Sequence, residues 1–350
     1  MKYASLGRSG LSVSRVCLGS MTWGIQNTQK DADEQIAYAM DRGINFIDTA
    51  EMYPVPPSDK TYGDTERVIG DWLSRHPEKR EELIIATKIT GPGFPYIRNA
   101  SFISQDSIPV AIEGSLERLQ TDYIDVYQLH WPNRTSPHFG KHWPNQVKPS
   151  KTDVEKERER KRGIVSALGE AIAAGKIRHW GLSDDTPWGI QTYINLCDEM
   201  NVPRPVSIQN EFNLLHLKDW PFVIETCVFE DVAYLPWSPL AGGMLSGKYL
   251  GGARPEGSRW TMVQRQGLFR DTESSQKAVA AYVDIAKRFD ITASQLALAW
   301  CDQVDGITST IIGATTMAQL KENIDAFDMT LSKDCITEVN DIIKRYPMPF

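Results

Sequence analysis

Little in this sequence points to a membrane, a metal or a polyanion. No run approaches the roughly 18 apolar residues of a membrane span. The N-terminus, Met1-Lys2-Tyr3-Ala4-Ser5-Leu6, has no apolar stretch of signal-peptide length. The five cysteines, Cys17, Cys197, Cys227, Cys301 and Cys335, are scattered without a CxxC pair. Neither a zinc site nor a disulfide framework is signalled, and isolated thiols suit a reducing cytosol, so a cytoplasmic location is expected. Positive charge is in deficit: 38 basic against 45 acidic residues leave a net charge of −7. That argues against nucleic acid or an anionic membrane as partners, although a few local cations suffice for an anionic cofactor. No GxGxxG follows the first strand-like run, and Gly91-Pro92-Gly93 fails that spacing, so a Rossmann nucleotide site is not indicated. His138 and His142 have helical metal-ligand spacing, but Pro137, Gly140 and Pro144 argue against a helix there, and no metal is expected.

What is present is an alternation of short apolar runs with longer amphipathic ones. The chain has 350 residues, 41% hydrophobic and 24% charged, enough for a large core without staples. The apolar runs are Val16–Leu18, Asn45–Ile47, Leu83–Thr87, Ile124–Leu129, Arg178–Leu182, Val206–Ile208, Ala233–Leu235 and Thr310–Ile312. Short runs without polar alternation suit parallel strands buried on both faces. Between them lie helical patterns. Asp31 with Glu34 reads as a capping box, with Gly43 past the helix end. Asp64 reads as a cap before Val68, Ile69, Trp72 and Leu73, and Thr292 with Gln295 as a second box. Such a series predicts one α/β domain over residues 1–350, a (β/α)8 TIM barrel. Residues 1–14, with Gly7 and Gly10, read as a hairpin over the barrel bottom, and Lys333–Arg345 as an extra C-terminal helix. Two segments, 131–162 and 242–271, interrupt the series and belong on the catalytic rim. The charged run Lys151–Arg162 reads as the solvated start of a helix ending at Gly175.

The residues that follow the strands are informative. Asp48, Lys88, His130, Gln209, Trp237 and Gly313 each follow one run, and in a barrel those points converge on one rim. The segments Gly43-Ile44-Asn45-Phe46-Ile47-Asp48-Thr49-Ala50-Glu51-Met52-Tyr53, Ala86-Thr87-Lys88, Gln128-Leu129-His130-Trp131, Gly181-Leu182-Ser183, Trp237-Ser238-Pro239-Leu240 and Ile312-Gly313-Ala314-Thr315-Thr316 resemble the aldo-keto reductases. They occur in that family's order across nearly the whole chain. Glu51–Pro57 resembles the bacterial Tas-type subgroup in particular, and Trp237–Leu240 with Gly247-Lys248-Tyr249 resembles the potassium-channel β-subunits of the same superfamily.

The resemblance implies a catalytic tetrad of Asp48, Tyr53, Lys88 and His130. Reducing a carbonyl by hydride creates an alkoxide that needs a proton, and Tyr53 would supply it. Lys88 would lower the phenol pKa, Asp48 would compensate Lys88, and His130 would orient the carbonyl oxygen. The resemblance also implies NADP(H) across the rim. Gly19, Ser20, Met21, Thr22 and Trp23 would line one side, with Asp48 beneath. Ser183 and Gln209 would hold the carboxamide, and Trp237 would stack on the nicotinamide. Ser238, Pro239, Leu240, Gly242, Ser246 and Lys248 would follow the pyrophosphate. Gly313, Thr315, Gln319, Glu322 and Asn323 would hold the adenosine end, where a helix opening at Gly313 suits a phosphate. Lys248, Arg254 and Arg259 lie in the loop that would reach a 2′-phosphate, and Arg259 is favoured over Arg254.

Position 184 departs from the family pattern, with Asp184 where Asn is usual. An ionised Asp only accepts hydrogen bonds, so Asp184 either binds the carboxamide amide or turns away to cap the next helix. Trp23, Met52, Tyr96, Trp131, His142 and Trp143 would form an apolar pocket for the carbonyl substrate. The leading reading is NADPH-dependent reduction of an aldehyde or ketone. The alternative is an NADP-binding regulatory or redox-sensing protein with slow turnover. No interface pattern is legible, so the oligomeric state stays open.

Overall fold

All eight apolar runs form parallel strands. The computed structural model describes residues 1–147, 154–262 and 267–350. Residues 148–153 and 263–266 belong to the segments 131–162 and 242–271 and lie outside the described residues, as does the Lys151 start of the charged run. The strands are β3 (Val16–Gly19), β4 (Phe46–Asp48), β5 (Ile84–Ile89), β6 (Ile124–Leu129), β7 (Ile177–Ser183), β8 (Ser207–Glu211), β9 (Ala233–Trp237) and β10 (Thr310–Ile312). They pair in the order β10-β3-β4-β5-β6-β7-β8-β9. Between β9 and β10 the barrel closes through a parallel bridge of Tyr234 with Ile307 and a 3.0 Å bond from Thr308 N–H to the Tyr234 carbonyl. The architecture is a (β/α)8 barrel.

Several strands run further than their apolar stretches suggest. Asp48, Lys88, Gln209 and Trp237 are therefore strand residues, not residues that follow strands. This matters because strand side chains alternate in direction, so Asp48 and Lys88 share the inward phase of Phe46 and Ala86.

Helices surround the strands: α1 (Gln29–Asp41), α2 (Asp64–Arg75), α3 (Ser107–Leu119), α4 (Val154–Ala173), α5 (Pro187–Met200), α6 (Phe222–Glu230), α7 (Glu273–Arg288), α8 (Ala293–Asp302), α9 (Met317–Asp325) and α10 (Lys333–Arg345). The first capping box sits one turn earlier than its expected position. Thr28 is the N-cap, and Asp31 is its N3 partner, with Thr28 N–H donating to Asp31 Oδ2 at 2.8 Å. Gly63, at φ +81°, caps α2, and Asp64 is its first residue without a side-chain capping bond. Thr292 and Gln295 form the expected box at α8. Helices α7 and α8 both lie between β9 and β10, where the alternation calls for one. Among the described residues no helix is long and apolar enough to cross a membrane.

The barrel interior is stratified. At its base, Cys17, Phe46, Ile84, Ala86, Val126, Val206, Ala233, Leu235 and Ile311 form one apolar cluster. The antiparallel hairpin β1 (Tyr3–Ser5) and β2 (Ser12–Ser14) completes that cluster with Leu6 and Val13, both fully buried. Gly7 lets the hairpin approach. Its φ is +50°, and a Cβ there would lie 2.5 Å from the Val206 carbonyl oxygen. Truncating Leu6 to Ala is expected to cost about 2–5 kcal/mol, from lost burial plus a cavity, with little change in the denaturant slope. Urea unfolding checks this, and a cost near zero would show that the hairpin does not belong to the cooperative core.

Candidate active site

Above the apolar base the interior turns polar. Asp48 Oδ2 accepts from Lys88 Nζ at 2.6 Å. Asp48 Oδ1 accepts from Gln209 Nε2 at 2.8 Å and from Gln128 Nε2 at 3.2 Å. Lys88 also donates to the Thr49 carbonyl at 2.7 Å. Ser20 Oγ donates to the Asp48 carbonyl at 2.7 Å. Lys88 and Asp48 are essentially inaccessible to water. Such a pair persists in a dry interior only because its lone pairs and protons are almost all met. Burial works against the Lys88 charge, but Asp48 and Tyr53 together outweigh it and the ammonium holds its proton more tightly than usual.

Tyr53 lies over this pair. Its ring centroid is 4.9 Å from Lys88 Nζ. The His130 ring meets it edge-on, with centroids 5.7 Å apart at 77°. Four of the sequence-predicted residues are thus brought together. Lys88 acts on the Tyr53 phenol in the expected direction but does not set the net shift. Burial pushes the Tyr53 phenol above its ordinary value; Lys88 and Arg259 pull it back, Asp48 opposes them, and burial prevails. His130 is held well below its usual range by burial and then by Lys88, so its imidazole is neutral at pH 7. Its Nδ1 has no hydrogen-bond partner among the described residues.

The rim residues divide. Gly19 and Ser20 are buried at the end of β3, and Met21 and Thr22 are half-buried at the mouth. Trp23 does not belong to the mouth. It is fully buried and its indole N–H bonds Gln35 Oε1 of α1 at 2.9 Å, which removes its side chain from both cofactor and substrate. Ser183 Oγ donates to the Gln209 carbonyl at 2.9 Å. Gln209 spends its amide N–H groups on Asp48 and Gln128, so only its Oε1 is left for a ligand amide. Asp184 neither caps α5, whose N-cap is Thr186, nor faces an open site. Its Oδ1 accepts from the Trp237 indole at 3.1 Å and lies 3.3 Å from His138 Nδ1. Trp237 is half-buried, and Phe139, a residue without sequence signal, lies against its ring.

The turn after β9 needs its glycines: Gly242 and Gly243 have φ of +68° and +94°. In that turn Ser238 and Leu240 are half-buried, Pro239 is buried, and Ser246 Oγ donates to the Gly243 carbonyl at 2.8 Å. Lys248 is exposed, and Arg254 is paired with Asp271. Arg259 is half-buried, touches Met21 Sδ at 3.2 Å, and has no carboxylate partner among the described residues. Helix α9 begins at Met317 behind the cap Thr316, so Gly313 to Thr315 precede it and do not open it. Gln319 Oε1 accepts from Thr315 N–H and Oγ1, each at 3.0 Å; Glu322 accepts from Thr292; Asn323 donates to the Gly313 carbonyl at 3.3 Å.

Of the pocket residues, Met52, Tyr96 and Trp131 join Tyr53 in one apolar cluster with Met21, Val55, Tyr62, Phe94 and Ile97. His142 and Trp143 stand apart. His142 Nε2 is 2.9 Å from the Phe350 carbonyl and its ring faces His216; Trp143 is largely exposed against His142. Two buried ion pairs that the sequence reading missed secure this rim. Glu51 pairs with Arg98, and Glu211 at the end of β8 pairs with Arg270, whose Nε donates at 2.8 Å. Glu51 and Glu211 did carry a signal, a carboxylate within three residues of a strand end.

An eight-stranded α/β barrel with a buried Asp–Lys pair beneath a Tyr and a His at its C-terminal rim defines an oxidoreductase of one class. Comparison with known proteins agrees: residues 15–344 match the aldo/keto reductase family, and the chain belongs to it. Members of this family draw on NAD(P)H. The chain is similar to "Protein tas" of Escherichia coli (strain K12), at 42% identity covering 100% of this chain and 99% of that one. It is also similar to the "Uncharacterized oxidoreductase YrpG" of Bacillus subtilis (strain 168), at 31% identity over 98% and 96% of the two chains. The "Probable voltage-gated potassium channel subunit beta" of Arabidopsis thaliana is 29% identical over 99% and 98%.

The buried histidines set a pH prediction. Burial depresses His130 and His138, and it holds His216 at about 4. Below the ordinary histidine value the unfolded chain takes up protons that the folded chain refuses, so stability falls as pH drops from about 6.5 toward 4. Each such histidine contributes a slope of about 1.4 kcal/mol per pH unit in that window. Denaturant titrations of wild type and His216→Gln are expected to give a shallower acid slope for the variant; equal slopes would contradict the assignment. At the tetrad, Asp48→Asn is expected to cost about 3–5 kcal/mol, because Lys88 then lacks its buried counter-charge.

Proposed function

We propose that this protein reduces an aldehyde or ketone to the alcohol with NADPH. The observation that carries this reading is the buried Asp48–Lys88 pair set directly beneath the Tyr53 ring. NADPH, when bound, supplies the hydride. The donor set suits it: Arg259 is a half-buried guanidinium with no carboxylate beside it among the described residues, and Trp237 is a half-buried flat ring at the same mouth. Such a cation is suited to a phosphate, and such a ring to a nicotinamide.

The chain's own residues then divide the work. Tyr53 holds a proton at Oη through neutral pH, because burial raises its pKa, and so keeps the acid form that alkoxide protonation needs. Lys88 stabilises the phenolate left behind, and Asp48 keeps Lys88 charged and in place. The neutral His130 offers an N–H to the carbonyl oxygen and stabilises charge developing there. Met52, Phe94, Tyr96 and Trp131 exclude water and favour a carbonyl compound with an apolar group.

Oxidation of NADPH by a panel of aldehydes and ketones tests the reading. Tyr53→Phe is expected to lower turnover by about 10²–10⁴ while leaving NADPH affinity nearly unchanged. If wild type binds NADPH tightly but turns over no carbonyl, the sensing alternative replaces this one. Arg259→Ala is expected to weaken NADPH binding by about ten- to a hundredfold more than NADH binding, the scale of one lost charge-assisted contact. Equal losses for both cofactors, read by fluorescence titration, would remove Arg259 from the phosphate site.

A further inference from the structure

Two consecutive carboxylates leave the end of β7, and both hold the same loop. Asp185 pairs with Arg134 at the start of the 131–147 segment. Asp184 faces His138 four residues further along, Oδ1 to Nδ1 at 3.3 Å, with both side chains only 2% exposed. The same Oδ1 accepts from the Trp237 indole at 3.1 Å. The next loop residue, Phe139, lies against the Trp237 ring, with centroids 5.5 Å apart at 29°. Phe139 is 53% exposed and sits at φ +55°, so its own burial does not account for its position. The insertion of His138 does. Asp184 is itself at φ +52°, a conformation that Asp tolerates better than most residues.

We propose that Asp184 is a positioning residue that latches the 131–147 loop to Trp237, so that one carboxyl sets both the loop and the aromatic face. The latch takes from the proposed function only the view that Trp237 faces the nicotinamide; the contacts themselves need no cofactor. Charged groups surround this contact. Lys218 Nζ stands 3.5 Å from His138 Nδ1 and 2.9 Å from Asp219, while Glu211, His216 and Arg134 also face the couple. Burial drives Asp184 up and His138 down, so it disfavours the charged form of each group. Deleting the carboxyl strands the Trp237 N–H and the His138 ring together, in a place too dry for water to replace it cheaply. An Asn at this position keeps the carbonyl acceptor.

Hydrogen exchange of the ligand-free full-length chain tests the latch. Amides of residues 136–143 are expected to exchange about tenfold faster or more in Asp184→Leu, with the barrel strands unchanged, as the loss of a buried hydrogen bond implies. His138→Leu breaks the couple from the loop side and is expected to do the same, which keeps the test sound if Asp184→Leu fails to fold. Asp184→Asn should rescue, holding exchange within about threefold of wild type. Unchanged exchange in both leucine variants, or Asp184→Asn as fast as Asp184→Leu, overturns the latch. NADPH affinity is measured alongside: wild type that fails to bind NADPH sinks the proposed function, whereas the exchange data decide the latch regardless.

Discussion

The Asp48–Lys88 pair is the interaction on which the rest of the site depends. Two full charges sit inside a barrel whose base is hydrocarbon, and their mutual attraction offsets a large desolvation cost only while the geometry holds. The barrel supplies that geometry by placing Asp48 on β4 and Lys88 on β5, inward from neighbouring strands. Gln128 from β6 and Gln209 from β8 then close on the free oxygen of Asp48. Four strands thus converge on one carboxylate. Tyr53 lies over the ammonium that it holds, and His130 meets the Tyr53 ring edge-on.

The rim repeats the same device at larger scale. Glu51 beyond β4, Asp184 and Asp185 beyond β7, and Glu211 at the end of β8 each engage a basic or imidazole side chain from a loop. A parallel barrel gathers its strand ends on one face, so carboxylates at those ends form a ring of anchors for the loops that cross the mouth. Each anchor is buried and each faces its partner, with Glu211 engaging Arg270 through Oε1. Arg259 stands out against this pattern as a cation at the mouth without an anchor among the described residues. A guanidinium at the mouth without such an anchor is suited to an anionic ligand.

Much of this was legible in the chain because the signals were local. Short apolar runs between capped amphipathic stretches specify strand and helix through periods of 2 and 3.6, and the hairpin, the eight strands and Lys333–Arg345 follow from them. Errors of a few residues arose where side chains compete locally. Thr28 outcompetes the Asp31–Glu34 reading because its hydroxyl and Asp31 satisfy each other. Trp23 illustrates a different failure. Its neighbours in sequence line the mouth, yet its indole turns outward to Gln35 and the helix layer. His142 and Trp143 likewise share a loop with rim residues, but His142 packs toward Phe350 and His216, and Trp143 lies exposed against His142.

By itself the sequence determined the barrel, the strand-end placement of Asp48, Lys88 and His130, and a family resemblance that the comparisons uphold. These follow from residue type and spacing along the chain. Only the tertiary structure decided that Gln209 is committed to Asp48, that Trp23 is core, and that Asp184 joins Trp237 to His138. Those contacts bridge residues up to 161 positions apart. Direction of burial and partnership across such distances are set when the barrel closes, and no local pattern encodes them.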